Sequence, residues 1–216
     1  MTLTDLDCAD LCIELYGGTR GFDLYWPESL WGLTAALKVW GNRDVIVHRG
    51  SVTPHDWYDD LISEGAEYDP NLGPVPAGFY QGTRAFHEAT KNVVRAGSVL
   101  TGHSLGAARA VIHGAFLAAA GNPPIAIIVF GCPRPGTPTM NALFAQTNVR
   151  WYRNRTDPVT QVPVPIPAML PWIHCGAETR LNEEPAANDV WAALADHHIE
   201  LYRAGVAALS PMPQVA

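Results

Sequence analysis

The stretch LTGHSLGAARA, residues 100–110, sets Ser104 between Gly102 and Gly106. A serine hydroxyl attacks a carbonyl only if a base takes its proton and the backbone holds the oxygen within reach of the substrate. Gly-x-Ser-x-Gly suits the second requirement. Val99 and Leu100 read as the end of a strand, and Leu105 onward reads as an alanine-rich helix. Glycines without a Cβ allow the tight strand-to-helix turn that projects the serine. The helix start would also aim free N–H groups and a partial positive charge at an anion developing there. The same five residues also make an ordinary small-residue turn between core elements, so the partners decide.

In a strand–Ser–helix arrangement the orienting acid and the base follow in the order Asp or Glu, then His. The downstream acids are Asp157, Glu178, Glu183, Glu184, Asp189, Asp196 and Glu200, and the downstream histidines are His113, His174, His197 and His198. Asp157 stands apart because it follows VRWYRN, just past a strand's C-terminal end, where open α/β sheets place their sites. His113 falls inside the helix after Ser104 and is expected to face away. His174 lies in or beside a late strand, where a plain structural role suits it. His197 and His198 flank the last helix, where a loop can return either over the strand ends. An oxyanion hole needs two backbone N–H groups. Leu105, directly after Ser104, supplies one. The other is expected from the loop after an earlier strand, and DVIVHRGS reads as a strand ending in Arg49–Gly50–Ser51, where Gly50 lets the backbone bend toward the serine; a plain turn is the alternative reading.

These residues need elements to carry them. TDLDCADLCIELYG has helical spacing, and LTAALKVWGNRDVIVHRGS reads as two strands joined at Gly41–Asn42. FYQGTRAFHEATKNVVRAG predicts a helix closed by Gly97. SVLT predicts a strand, and SLGAARAVIHGAFLAAAG a helix capped by Gly121. IAIIVFG is too apolar for a half-wet strand and belongs in the middle of a parallel sheet. PTMNALFAQ and VRWYRN repeat helix then strand. A last strand is expected around IHCGAE and a last helix near HIELYRAGVAAL. Strand–helix alternation from residue 98 calls for a parallel sheet with right-handed crossovers. With no repeat and no break in composition, the chain reads as a single α/β domain over residues 1–216.

A net charge of −7, with no Lys/Arg run to offset it, argues against a nucleic-acid partner. No apolar run approaches the ~20 residues of a transmembrane helix. MTLTDLDCAD is not a basic segment leading into an apolar core, so no secretory signal is expected and the cytoplasm is the expected compartment. The four cysteines make neither a dense disulfide framework nor a paired Cys-x-x-Cys zinc pattern, and read as buried free thiols. Nothing in the composition fixes the oligomeric state.

In combination these segments resemble the class 3 lipases, the fungal-lipase-like α/β-hydrolases. VIVHRGS followed by DWYDDL looks like that family's strand ending in Arg-Gly-Ser/Thr with its downstream Asp-Trp, and GHSLGAARA looks like its nucleophile elbow. VFGCPRPG resembles its Phe-Gly-x-Pro-Arg-x-Gly segment and RNRTDPVTQVP its acid loop. IHCGAE has a counterpart before the last helix, and DHHIELY resembles Asp-His-Ser-Ile-x-x-Tyr. The likeness runs in order from about residue 33 to 207.

The resemblance implies Ser104 as nucleophile, Asp157 as orienting acid, His197 rather than His198 as base, and Ser51 and Leu105 as the oxyanion hole. It implies an α/β-hydrolase fold with a lid-like segment at about 52–77, and a lipase or esterase acting on acyl esters such as acylglycerols without metal or organic cofactor. Feruloyl esters, phospholipids and acyl transfer to an alcohol are the alternative chemistries, and a catalytically silent binding module is the alternative of another class. Two departures and the composition of the lid-like segment bear on substrate, one departure being that the signal sequence and disulfides of secreted fungal relatives are not expected here. Pro76 stands where many relatives have histidine in Val-His-x-Gly-Phe, and the 52–77 segment is acidic, with Asp56, Asp59, Asp60, Glu64, Glu67 and Asp69. That acidity suits transient contact with dispersed esters better than docking on anionic lipid.

Overall fold

The computed structural model describes residues 2–51, 65–166, 168–182 and 193–215. Helix α1 (Asp5–Gly17) opens with a capping box between Thr4 and Asp7. Then come β1 (Leu24–Trp26), α2 (Glu28–Trp31), β2 (Ala35–Trp40), β3 (Arg43–His48), the hairpin β4 (Ala66–Asp69) and β5 (Gly73–Pro76), and α3 (Ala77–Thr90). The second half alternates: β6 (Val99–His103), α4 (Leu105–Ala119), β7 (Ala126–Phe130), α5 (Pro138–Ala142), β8 (Asn148–Asn154), β9 (Ala177–Leu181) and α6 (Ile199–Ala207). Seven strands form one sheet in the order β1-β2-β3-β6-β7-β8-β9. The pairings of β1, β2 and β3 with one another are antiparallel, and those from β3 to β9 are parallel.

The period-two pleat sorts the sheet's side chains into two cores. Ile46, Leu100, Ile127, Val129 and Trp151 face α3 and α4. Val45, Val47, Val99, Ile128, Phe130 and Tyr152 face α1 and α6. Every residue of β7 is buried, as expected of a central strand. The α1 helix is held at its start by the buried Asp5, whose carboxylate accepts from Arg150 (2.5 and 2.9 Å) and from Tyr152 Oη (2.5 Å). All four cysteines are free and buried. Among the described residues no helix is long and apolar enough to cross a membrane.

Two expected elements end elsewhere. The helix expected to reach Gly97 stops at Thr90, because the chain is drawn off to the start of β3: the backbone N–H of Arg95 (2.9 Å) and its Nε (2.8 Å) both donate to Asp44. The last strand, expected around IHCGAE, starts only at that segment's Ala177 and runs on to Leu181, since Gly176 has φ +79° and its N–H goes to Asn141 Oδ1. Of the lid-like segment, residues 52–64 lie outside the described residues. Its remainder carries the β4–β5 hairpin, tied to α3 through Asp69, which accepts from Tyr80 Oη at 2.8 Å and pairs with Arg84 at 3.0 Å.

Three histidines collect on the α3–α4 face. His48 Nε2 lies 3.1 Å from His113 Nδ1, with His87 and Phe86 packed around them. Burial, with Arg109 beside it, pulls His48 down to about 3, and burial holds His113 well below the ordinary value of 6.5. The unfolded chain takes up a proton near pH 6.5 while buried His48 refuses it until about 3, so its contribution is complete above 6.5 and lost as pH falls toward 3. Urea unfolding at pH 7.5 and pH 5 should show a loss of about 2 kcal/mol from His48 alone. A stability unchanged between those two conditions would show that these rings are not buried and neutral.

Candidate active site

Ser104 is where β6 must become α4. Its backbone sits at φ 61°, ψ −132°, a conformation that costs a non-glycine residue roughly 1–3 kcal/mol. Packing and hydrogen bonds enforce it: the Ser104 N–H donates to Phe130 O (3.0 Å), and its carbonyl accepts from Ala107 N (2.9 Å). The flanking glycines are required by space. A Cβ on Gly102 would overlap the Gly106 carbonyl, and one on Gly106 would overlap the His48 carbonyl at the end of β3. The result is a buried serine whose Oγ has no hydrogen-bond partner among the described residues.

Asp157 lies just past β8, fully buried, at the start of a 3-10 turn over Pro158–Gln161. A carboxylate without water needs donors, and it has three: Val159 N–H at 2.9 Å on Oδ1, with His197 Nδ1 at 2.7 Å and the Tyr202 hydroxyl on Oδ2. An ionised carboxylate only accepts, so the His197 proton sits on Nδ1, and Nε2 is the acceptor of the neutral ring. Gly131, just after β7, makes room for this pair. A Cβ there would stand 2.9 Å from His197 Cε1 and 3.1 Å from Asp157 Oδ2.

The pleat puts His103 on the α1–α6 face, opposite Gly102. Its Nε2 is 2.7 Å from the His197 carbonyl, and its Nδ1 is 3.0 Å from the hydroxyl of Tyr16 on α1. A carbonyl cannot donate, so Nε2 carries the proton and Tyr16 donates to Nδ1. Burial, reinforced by His197 next to it, holds His103 well below the usual histidine range, which keeps the ring neutral for this relay. The backbone of the histidine bound to Asp157 is thereby tied to α1.

Ser104 and His197 line one cavity of about 250 Å³, with Ser51, Leu194 and Ile199 among its walls. Leu105 and Ser51 line a second cavity next to it. The residues singled out in the sequence, Ser51, Ser104, Leu105, Asp157 and His197, therefore converge at the C-terminal ends of β3, β6 and β8. The other candidates, His113, His174 and His198, do not bind Asp157. His113 is in the cluster behind α4. His174 stacks on Trp151 with ring centroids 3.7 Å apart and lies 2.9 Å from Thr160 O. His198 is exposed at the rim, where α6 begins. Of the remaining acids, Asp196 and Glu178 pair with surface arginines, while Glu183, Glu184 and Asp189 lie outside the described residues. Tyr202, His103 and Tyr16 were not given roles from the sequence. Tyr202 closes the DHHIELY motif and was legible there, but nothing local to Tyr16 points 87 residues ahead to His103. Among the described residues no cluster of three or more His, Cys, Asp or Glu side chains could hold a metal ion.

Residues 45–166 match the model of a family described as Lipase (class 3). Phospholipase A1-II 1 of Oryza sativa subsp. indica is 27% identical over 205 residues, covering 79% of this chain and 51% of that protein. The protein of the same name in subsp. japonica matches equally, and the chain spans about half the length of the curated relatives it matches. Among solved structures, the lipase from Rhizopus microsporus var. chinensis superposes with a TM-score of 0.69 at 19% identity, covering 91% of this chain and 88% of that one. The triacylglyceride lipase of Rhizomucor miehei superposes at 0.64 with 20% identity, covering 82% and 79%. These likenesses establish an α/β-hydrolase fold.

The space at Gly131 gives a structural test. A short Nδ1–H···carboxylate bond produces a far-downfield imidazole proton in NMR spectra, and the wild-type protein should show one from His197. Gly131→Ala should abolish it by driving a methyl group against the ring. Its survival in Gly131→Ala would mean that His197 and Asp157 do not require the gap.

Proposed function

The chain belongs to the class 3 lipase family, and from that premise we propose that it is a serine carboxylic ester hydrolase, a lipase or esterase acting through Ser104, His197 and Asp157. One observation carries this reading: a buried serine hydroxyl on a strained elbow shares a cavity with a histidine whose far nitrogen is bonded to a buried carboxylate.

His197 Nε2 takes the Ser104 proton as Oγ adds to the ester carbonyl. Asp157 stabilises the imidazolium through Nδ1–H, and Tyr202 and Val159 keep the carboxylate in place. The N–H groups of Ser51 and Leu105 receive the developing oxyanion, where fixed donors act without reorganising. Collapse returns the proton to the departing alcohol and leaves an acyl-serine. Water then adds by the same route, His197 taking its proton and giving it back to Oγ as the acid leaves. Every step uses groups of this chain. The acyl portion fits the cavity walled by Leu194 and Ile199.

Hydrolysis of p-nitrophenyl esters from acetyl to palmitoyl tests the reading. The wild type should cleave some member of the series and be labelled by a fluorophosphonate. Ser104→Ala should lose activity by at least roughly 10³-fold and escape labelling with its unfolding curve unchanged, and Asp157→Asn should lose about 10²- to 10⁴-fold. Turnover persisting in a clean Ser104→Ala preparation would rule the mechanism out. A preference for short chains would indicate a soluble-ester esterase, and a jump above the solubility limit of a long chain a lipase that works at an interface.

A further inference from the structure

Tyr16 reaches from the last turn of α1 into the cavity that holds Ser104 and His197, and its hydroxyl sits at a junction. On one side it faces His103 Nδ1 at 3.0 Å, and His103 Nε2 lies 2.7 Å from the His197 carbonyl. On the other side it meets Gly50, whose backbone N–H donates to it. The approach is close: a Cβ on Gly50 would overlap both the Tyr16 oxygen and the His103 carbonyl. A backbone N–H only donates and a carbonyl only accepts, so Tyr16 accepts from Gly50 and gives its own proton to His103, which gives its Nε2 proton to His197 O. Every donor in the series Gly50–Tyr16–His103–His197 therefore points the same way. Burial holds the two titrating members in the form this needs, raising Tyr16 so that it stays a phenol and lowering His103 so that it stays neutral.

The two ends of the series are the parts of the site that lie outside the sheet and its α-helices. Ser104 and Leu105 are fixed by the elbow and by α4. Ser51 comes after the end of β3, where the Arg49 N–H goes to Thr34 O (3.0 Å) and the next one, that of Gly50, goes to Tyr16. His197 ends a 3-10 turn before α6, with its ring on Asp157 and its carbonyl on His103. A ring held only at Nδ1 can pivot about that bond, and a hold on its own backbone limits where Nε2 points. The His103 ring also lies 4.6 Å from the His197 ring, and being neutral it does not oppose the positive charge that His197 acquires.

We propose that Tyr16 is a positioning residue for both halves of the reaction: its hydroxyl fixes the oxyanion loop through Gly50 and, through His103, the backbone of the base. The proposal rests on the reading of Ser104 as nucleophile, His197 as base and Ser51 as oxyanion donor.

Hydrolysis of p-nitrophenyl butyrate, with kcat counted per site labelled to completion by a fluorophosphonate, separates positioning from folding. Tyr16→Phe removes one oxygen and keeps the ring, and should lose about 10- to 10²-fold in kcat with KM within about twofold of the wild type. Butaneboronic acid, whose tetrahedral adduct on Ser104 uses the same oxyanion donors, should bind that variant more weakly by a similar factor. His103→Leu should also lose kcat, and His103→Gln, whose amide N–H can still reach the His197 carbonyl, should recover most of it. A merely structural role would reduce the number of labelled sites and the unfolding midpoint but leave kcat per site and boronate affinity unchanged, and that result overturns the proposal. A loss confined to KM, or one as deep in His103→Gln as in His103→Leu, overturns it too; should His103→Leu fail to fold, Tyr16→Phe decides alone. Each of these outcomes leaves the reading of Ser104 untouched. Hydrolysis that is absent in the wild type, or that persists in Ser104→Ala, overturns that reading and the positioning role with it.

Discussion

Between β6 and α4 the chain has a single residue in which to leave a strand and enter a helix, and that constraint shapes what surrounds it. Ser104 can hold φ 61° only because its N–H is fixed to the end of β7 and its carbonyl is taken by the first turn of α4. The helix in turn can start there only because Gly102 and Gly106 bring three stretches of backbone into contact: β6, the start of α4 and the end of β3. The close approach that strains the serine also carries the chain from His48 into Gly50 and Ser51 beside it. The positions of Ser104 and of the loop at Ser51 are therefore consequences of one packing arrangement.

The same logic of replaced water governs Asp157. A fully buried carboxylate persists because a backbone N–H, an imidazole and a phenol are held against it, and each comes from a different element. Its place past β8 and the place of His197 before α6 are set by two neighbouring features, the gap at Gly131 and the packing of Tyr202 beneath the strand ends. From the other side, the Tyr16–His103–His197 relay attaches the histidine backbone to α1. Because α1 is itself fixed to β8 by Asp5, Arg150 and Tyr152, the first helix of the chain becomes part of the support for residues near its end.

Two cavities meeting at one residue give this arrangement a direction. Leu194 and Ile199 line one cavity, while Thr34, Arg49 and Arg109 line the other. That is consistent with a hydrolase fold on which the substrate is set by the surroundings of the elbow.

The sequence by itself determined the elements and their order. Apolar runs and the glycines at 41, 97 and 121 marked strands and helices, the Gly-x-Ser-x-Gly pattern marked the elbow, and a strand ending just before Asp157 marked the acid. These are local properties, decided by periodicity and by which residues a turn accepts. On residues alone the base stayed open among several histidines, because His174, His197 and His198 differ in what they meet and not in what they are. Only the tertiary structure decided that His197 reaches Asp157, that His174 instead stacks on Trp151, and that His103 turns toward Tyr16. It also moved two boundaries, at Thr90 and Ala177, where contacts with Asp44 and Asn141 outweigh helix and strand propensity. The second cavity was invisible for the same reason: Thr34, Arg49 and Arg109 lie on three elements, and only the crossing of β3 over the start of α4 brings them to one space.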